Sequence, residues 1–145
     1  MARQTLATRA ERTTVPRRLV RILLVEDCAS DVFLVERMLK DATLDYDYDI
    51  TDVPRLVDAF YAVERNAFDV IMLDLNLLDI DGVAAVAALH AEAPATPIIV
   101  YSGMDNVRLK EEALMCGATH YLVKGRESGY GLKYMIESAL SHRKA

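Results

Sequence analysis

Four short apolar runs in this chain contain or end in a side chain able to do chemistry. Glu26 and Asp27 close "RILLVED" (21–27), Asp74 closes "FDVIMLD" (68–74), Ser102 falls in "TPIIVYSG" (96–103) and Lys124 in "HYLVKG" (120–125). One polar residue after such a run is ordinarily a turn. Four such ends, offering three carboxylates, a hydroxyl and an ammonium, point to a shared site. Three carboxylates within a few ångströms repel and raise each other's pKa unless a cation compensates. A hard divalent ion meets that need: Mg2+ binds through one or two carboxylates, waters and a phosphoryl oxygen, whereas Zn2+ favours His or Cys, of which this set has only the neighbouring Cys28. A carboxylate beside such an ion can attack phosphorus and carry the phosphoryl group as an acyl phosphate. Phosphoryl transfer rests chiefly on positioning and charge neutralisation, for which Ser102 and Lys124 are suited. Asp74 is the best nucleophile because it stands alone at a strand end, while Glu26 and Asp27 form a pair suited to metal.

The elements that position these residues are readable from periodicity. The four runs lack alternation and are rich in Ile, Leu and Val, the pattern of strands buried on both faces. "YDYDIT" (46–51) alternates instead, as an edge strand does. Helical spacing separates the strands. Val32, Val35, Leu39 and Ala42 form one apolar stripe, with Asp31, Glu36, Arg37 and Lys40 on the opposite side and Ser30 placed to cap. Pro54 opens a second helix whose stripe is Leu56, Phe60 and Val63. The Ala-rich "VAAVAALHAE" after Gly82 makes a third, and 106–116 a fourth that stops at Gly117. The last runs over 130–143 and buries Leu132, Met135, Ile136, Ala139 and Leu140.

Five strands alternating with five helices through short loops define a doubly wound α/β parallel sheet. The edge character of the second strand favours the order 2-1-3-4-5, and no GxGxxG or GxxxxGK[ST] follows the first strand, which argues against a nucleotide fold of either phosphate-loop type. In such a sheet the crevice lies beyond the carboxyl ends of the strands, where Glu26, Asp27, Asp74, Ser102 and Lys124 would meet.

Composition bounds the reading. The 145 residues, 52% of them hydrophobic, suit one domain with its own core. No apolar stretch approaches the ~20 residues needed to span a bilayer, and no secretory signal opens the chain, so the expected location is the cytoplasm. Cys28 and Cys116 lack CxxC spacing and are expected to be small packed thiols, and His90, His120 and His142 are scattered. Residues 1–21 carry Arg3, Arg9, Arg12, Arg17, Arg18 and Arg21 against Glu11, whereas the rest holds 11 basic and 21 acidic residues. An acidic body argues against a nucleic-acid-binding core. Residues 1–19 therefore read as a basic, flexible extension, and 20–145 as the domain proper.

At these residues the chain resembles the response-regulator receiver (CheY-like) domain of bacterial two-component signalling. The resemblance covers about residues 20–143 and rests on "LLVED", "DLNLLDIDG", "IIVYSG" and "GATHYLVKG" in order. It implies a flavodoxin-like fold, Asp74 as phosphoacceptor, Glu26 and Asp27 as the acidic Mg2+ pair, and Asn76 as donor of a main-chain carbonyl to the metal. Ser102 corresponds to the switch hydroxyl, Lys124 to its cationic partner and Tyr121 to the aromatic that changes rotamer. Positions 76 and 104, here Asn76 and Met104, commonly tune dephosphorylation in the family. The implied partners are a sensor histidine kinase or histidine phosphotransfer protein and a downstream protein target, met through the face around the fourth helix, fifth strand and fifth helix.

Two positions depart from the family pattern: Leu78 stands where Pro is common, and the usual Lys-Pro is Lys124-Gly125, which removes a restraint on the lysine. Because only about two residues follow the last helix, the expectation is a stand-alone receiver without an output domain, and no DNA binding. A homodimer through the charged face of Arg108, Lys110, Glu111 and Glu112 stays open, although such faces are usually solvated. The alternative, motivated by the lost prolines, is a phosphorylation-independent scaffold. A phosphohydrolase of the haloacid dehalogenase type is disfavoured, since it uses Asp-x-Asp where this chain has Asn76, and no cap insert is present. The chain is thus expected to take part in its own phosphoryl transfer and not to be a metabolic enzyme.

Overall fold

Strands with no polar face fold only between two layers, and the computed structural model shows that arrangement for the residues it describes, 17–42, 46–77, 82–126 and 128–143. The chain alternates β1 (Arg18–Val25), α1 (Ala29–Ala42), β2 (Tyr46–Val53), α2 (Leu56–Arg65), β3 (Val70–Leu73), α3 (Ala84–Glu92), β4 (Ile98–Ser102), α4 (Val107–Met115), β5 (His120–Val123) and α5 (Gly129–Arg143). All neighbouring strands are parallel, in the order β2-β1-β3-β4-β5. β3 and β4 are buried at every residue, whereas β2 alternates between half-buried and exposed positions over most of its length, as an edge strand must.

Alternation along the strands divides the core in two. Leu23, Val25, Ile71, Leu73, Ile98, Val100 and Tyr121 pack with Leu56, Ala59, Val86, Leu89 and Ala113 of α2, α3 and α4. Ile22, Leu24, Val70, Met72, Ile99, Tyr101 and Leu122 pack with Val32, Val35, Leu39, Leu132, Ile136, Ala139 and Leu140 of α1 and α5. The predicted stripe of α1 is therefore the buried one, and so is that of α5 except for Met135, which is partly buried against the same core.

Local chemistry sets the element ends, in places differently from the sequence reading. β1 starts at Arg18 because β2 pairs with its full length, Arg18 opposite Tyr46, and the Arg17 guanidinium donates to the Tyr46 carbonyl at 2.8 Å. Of the predicted extension 1–19, residues 1–16 lie outside the described residues, while Arg18 and Leu19 belong to the strand. The predicted cap Ser30 sits inside the first turn of α1 instead, since the Cys28 carbonyl already accepts from Asp31 N and Val32 N at 3.0 and 3.1 Å. Likewise Pro54 precedes α2, whose N-cap is Arg55, with its guanidinium 3.1 Å from Asp58. Asn106 caps α4 by accepting from Leu109 N at 3.1 Å. Gly117 ends it at φ 121°, with Gly117 N bonded to Leu114 O and Ala118 N to Ala113 O, the paired bonds of a Schellman motif.

α5 depends on a close approach to α1. A Cβ on Gly129 would lie 2.4 Å from the Met38 carbonyl oxygen and 3.0 Å from Ala42 Cβ, both parts of a packed helix that cannot swing aside. By contrast, a Cβ on Gly103 would meet nothing within 4 Å. Gly129→Ala is therefore expected to lower unfolding free energy by about 1–3 kcal/mol. Gly103→Ala should stay within about 0.5 kcal/mol. Equal denaturation midpoints for the two variants would contradict this account of the α1–α5 contact.

Candidate functional site

Sheet register brings the polar strand ends together. Val25 pairs with Leu73, so Glu26 and Asp74 take the next positions on adjacent strands. Leu73 pairs with Val100 and Ser102 with Val123, which sets Ser102 and Lys124 along the same edge. Backbone bonds continue past the strands and fix these residues: Glu26 N donates to Val53 O at 2.9 Å, Asp74 N to Val25 O at 3.1 Å and Lys124 N to Ser102 O at 2.8 Å. Glu26, Asp74 and Ser102 are the buried polar residues of the described chain, at 3%, 5% and 0% exposure.

One oxygen from each of Glu26, Asp27 and Asp74 lies within 4.8 Å of the others. The Lys124 ammonium faces this group, 2.5 Å from Glu26 Oε1, 3.3 Å from Asp74 Oδ2 and 2.9 Å from Asp31 Oδ2. Main-chain donors orient the carboxylates: Cys28 N donates to Glu26 Oε2 at 3.2 Å and Asn76 N to Asp74 Oδ1 at 3.1 Å. Burial, with Asp74 adding repulsion against the bond from Lys124, pushes the Glu26 carboxyl up to about 7. Burial works against the charge of Lys124 as well, but its bonds to Glu26 and Asp31 and the charge of Asp74 prevail and hold it above the usual lysine range.

The donor chemistry fits a hard divalent cation. Every candidate ligand atom in the group is a carboxylate oxygen, and carboxylates outnumber ammonium groups at this edge. Asp27, the exposed member of the group, faces solvent, where an entering ion and its waters can reach it.

Ser102 and Tyr121 meet through one residue. Ser102 Oγ accepts from Met104 N at 3.2 Å, and the Tyr121 hydroxyl donates to the Met104 carbonyl at 2.7 Å. Tyr121 is 7% exposed and its ring belongs to the core on the α2–α4 side. Gly125 follows Lys124 at φ 85°, a conformation closed to proline. Leu78, the other departure from the family pattern, lies outside the described residues.

Sequence reasoning missed Asp31. Helical spacing assigned it to the polar side of α1, yet it lies in the first turn, at the carboxyl edge of the sheet, where a lysine side chain reaches it. In a doubly wound sheet every helix begins at that edge, and this is the signal that would have found it. Cys28 is a correction: it is an exposed free thiol and not a packed one, because it precedes α1 on the rim of the site, whereas the half-buried Cys116 packs against the core.

An open 2-1-3-4-5 sheet with buried carboxylates gathered around one lysine at its carboxyl edge defines a doubly wound α/β protein of the receiver type. The chain belongs to the response regulator receiver domain family, whose model matches residues 22–131. It is 33% identical over 110 residues to the cell cycle response regulator CtrA of Brucella ovis, covering 72% of this chain and 44% of that protein. It is 29% identical over 121 residues to the transcriptional regulatory protein ZraR of Salmonella typhimurium, covering 83% of this chain and 26% of the relative. The matched region thus spans about a quarter to under a half of these relatives. Among solved structures, the receiver domain of a sensor histidine kinase from Pseudomonas aeruginosa PAO1, with magnesium coordinated in its active-site cleft, superposes with a TM-score of 0.71 at 27% identity, covering 84% of this chain and 98% of that one. The family is one of signalling domains and not of metabolic enzymes. Among the described residues no helix is long and apolar enough to cross a membrane.

Lys124 is what makes burial of Glu26 beside Asp74 tolerable. Lys124→Met is expected to cost on the order of 3 kcal/mol at pH 7, since breaking one side of a buried pair leaves an uncompensated charge. A carboxyl raised from 4.5 to about 7 binds its proton more tightly in the folded chain, so its contribution favours folding below 4.5 and is lost as pH climbs toward 7. The deficit of the variant should therefore shrink as pH falls from 7 to 4.5 in urea unfolding; equal deficits at both would contradict the assignment.

Proposed function

We propose that this chain is a phosphorylation-controlled receiver that takes a phosphoryl group onto Asp74 from the phosphohistidine of a sensor histidine kinase or histidine phosphotransfer protein. The observation that carries this reading is the convergence of Glu26, Asp27 and Asp74 oxygens within 4.8 Å, with Lys124 Nζ 3.3 Å from the Asp74 carboxylate. Membership of the receiver family supports it, as does the magnesium held by the similar receiver domain of a histidine kinase.

In the transfer, an Asp74 carboxylate oxygen attacks phosphorus, the O–P bond forms and the N–P bond breaks, and the bonding pair stays on the imidazole nitrogen of the donor. Glu26, Asp27, Asp74 and the Asn76 main-chain carbonyl would hold Mg2+, which when bound neutralises charge on the phosphoryl oxygens. Lys124 binds a second phosphoryl oxygen as its contact with Asp74 is exchanged. Ser102, 0% exposed, gives up the bond from Met104 N to reach a third oxygen, and Tyr121, joined to the same residue, adjusts with it. The changed loop alters binding of a downstream protein target. Gly125 does not favour the scaffold alternative, because Lys124 still meets Glu26, Asp31 and Asp74 without the proline.

Intact-mass spectrometry after incubation with Mg2+ and acetyl phosphate tests the reading. Wild type should gain one phosphoryl group; Asp74→Asn, or chelation of the metal, should abolish it. An adduct that persists in Asp74→Asn would sink the assignment. Metal affinity carries a second test. Mg2+ binds ionised Glu26, so raising pH through about 7 removes a competing proton and strengthens binding, with proton release visible in calorimetry across buffers of different ionisation heat. Affinity that is flat between pH 6 and 8 would remove Glu26 from the ligand set.

A further inference from the structure

Of the three carboxylates on Lys124, two have other work in the proposed transfer. Glu26 belongs to the metal-binding group and Asp74 to both that group and the reaction, whereas Asp31 lies outside it, on α1. Its Oδ2 is nevertheless 2.9 Å from Lys124 Nζ, closer than the 3.3 Å contact to Asp74. We propose that Asp31 is a positioning residue for Lys124: it holds the ammonium over Asp74 while the ion and the phosphoryl group claim the Glu26 and Asp74 oxygens. The inference rests on the phosphoryl-transfer reading of the site.

Lysine needs such a hold here. It is a point charge on a flexible four-carbon stem, and the backbone after it, Gly125 at φ 85°, takes a conformation no proline ring could fix. Restraint absent from the chain direction is supplied sideways, from a rigid helix. The position of Asp31 allows this: backbone bonds from Asp31 N and Val32 N to the Cys28 carbonyl, at 3.0 and 3.1 Å, tie the first turn of α1 to the residue that follows Asp27. An acidic residue in the first turn also suits the helix dipole. That role needs no ammonium at 2.9 Å, and the two roles separate by experiment.

The test uses the full chain with Asp31→Asn, Lys124→Met and the double variant, with acetyl phosphate and Mg2+. Asp31→Asn should slow adduct formation about tenfold, as loss of an orienting partner does. Its Mg2+ affinity should fall by less than adduct formation does, because Asp31 lies outside the candidate ligand group and would not bind the ion directly. In the Lys124→Met background the same substitution should cause no further slowing; a purely structural effect would slow both backgrounds alike. Unchanged adduct formation in Asp31→Asn would overturn the inference while leaving the receiver reading intact. Failure of wild type to form any adduct would sink that reading instead, and a second measurement then decides the role of Asp31. With Mg2+ present, acylation of Lys124 by an amine reagent, followed by peptide mass spectrometry, should run several-fold faster in Asp31→Asn than in wild type. Equal labelling would overturn the anchoring; faster labelling supports it.

Discussion

A single ammonium joins four parts of this fold. Lys124, just past β5, meets Glu26 from the end of β1, Asp31 from α1 and Asp74 from the end of β3. Each carboxylate alone would be costly at this depth, and together they would repel; the lysine offsets both terms at once. The compensation is nevertheless incomplete: burial, with the charge of Asp74 beside it, still pushes the Glu26 carboxyl up to about 7. A buried group left reluctant to ionise beside its like-charged neighbour costs stability, and what is given up there must come from elsewhere.

It comes from the two cores that clamp the sheet. β3 and β4 are buried at every residue, so the strand ends that carry Asp74 and Ser102 inherit the rigidity of the most protected part of the molecule. Register then does the aiming. Because Val25 opposes Leu73 and Ser102 opposes Val123, Glu26, Asp74 and Lys124 fall into place beside one another without strain: among the described residues, positive φ occurs only at glycine.

Most of this was legible in the sequence, for a physical reason. A strand buried on both faces leaves an uninterrupted apolar run, and the polar residue that ends it must sit at the sheet edge, so Glu26, Asp74, Ser102 and Lys124 announce both the fold and their own location. Asp31 does not. Periodicity tells which way a helical side chain points around the axis, and by that measure Asp31 joins Glu36 and Lys40; topology puts the first turn of α1 at the carboxyl edge, but that Lys124 reaches Asp31 there is set by tertiary packing. The early start of β1 was hidden similarly, since Arg18 reads as part of a basic tail until β2 is there to pair with it. Nor does sequence reveal that Gly129 is required by a carbonyl of another helix, a matter of a few ångströms between elements distant in the chain.

The two bonds at Met104 have a consequence for how this loop can vary. Ser102 Oγ and the Tyr121 hydroxyl both engage its main chain, one at the amide and the other at the carbonyl, while the residue is 43% exposed. The wiring between hydroxyl and aromatic ring is thus written in backbone that every residue but proline supplies in full. Position 104 is therefore free to change identity for the sake of whatever touches the surface, and the internal linkage will survive the change unrecorded in its letter.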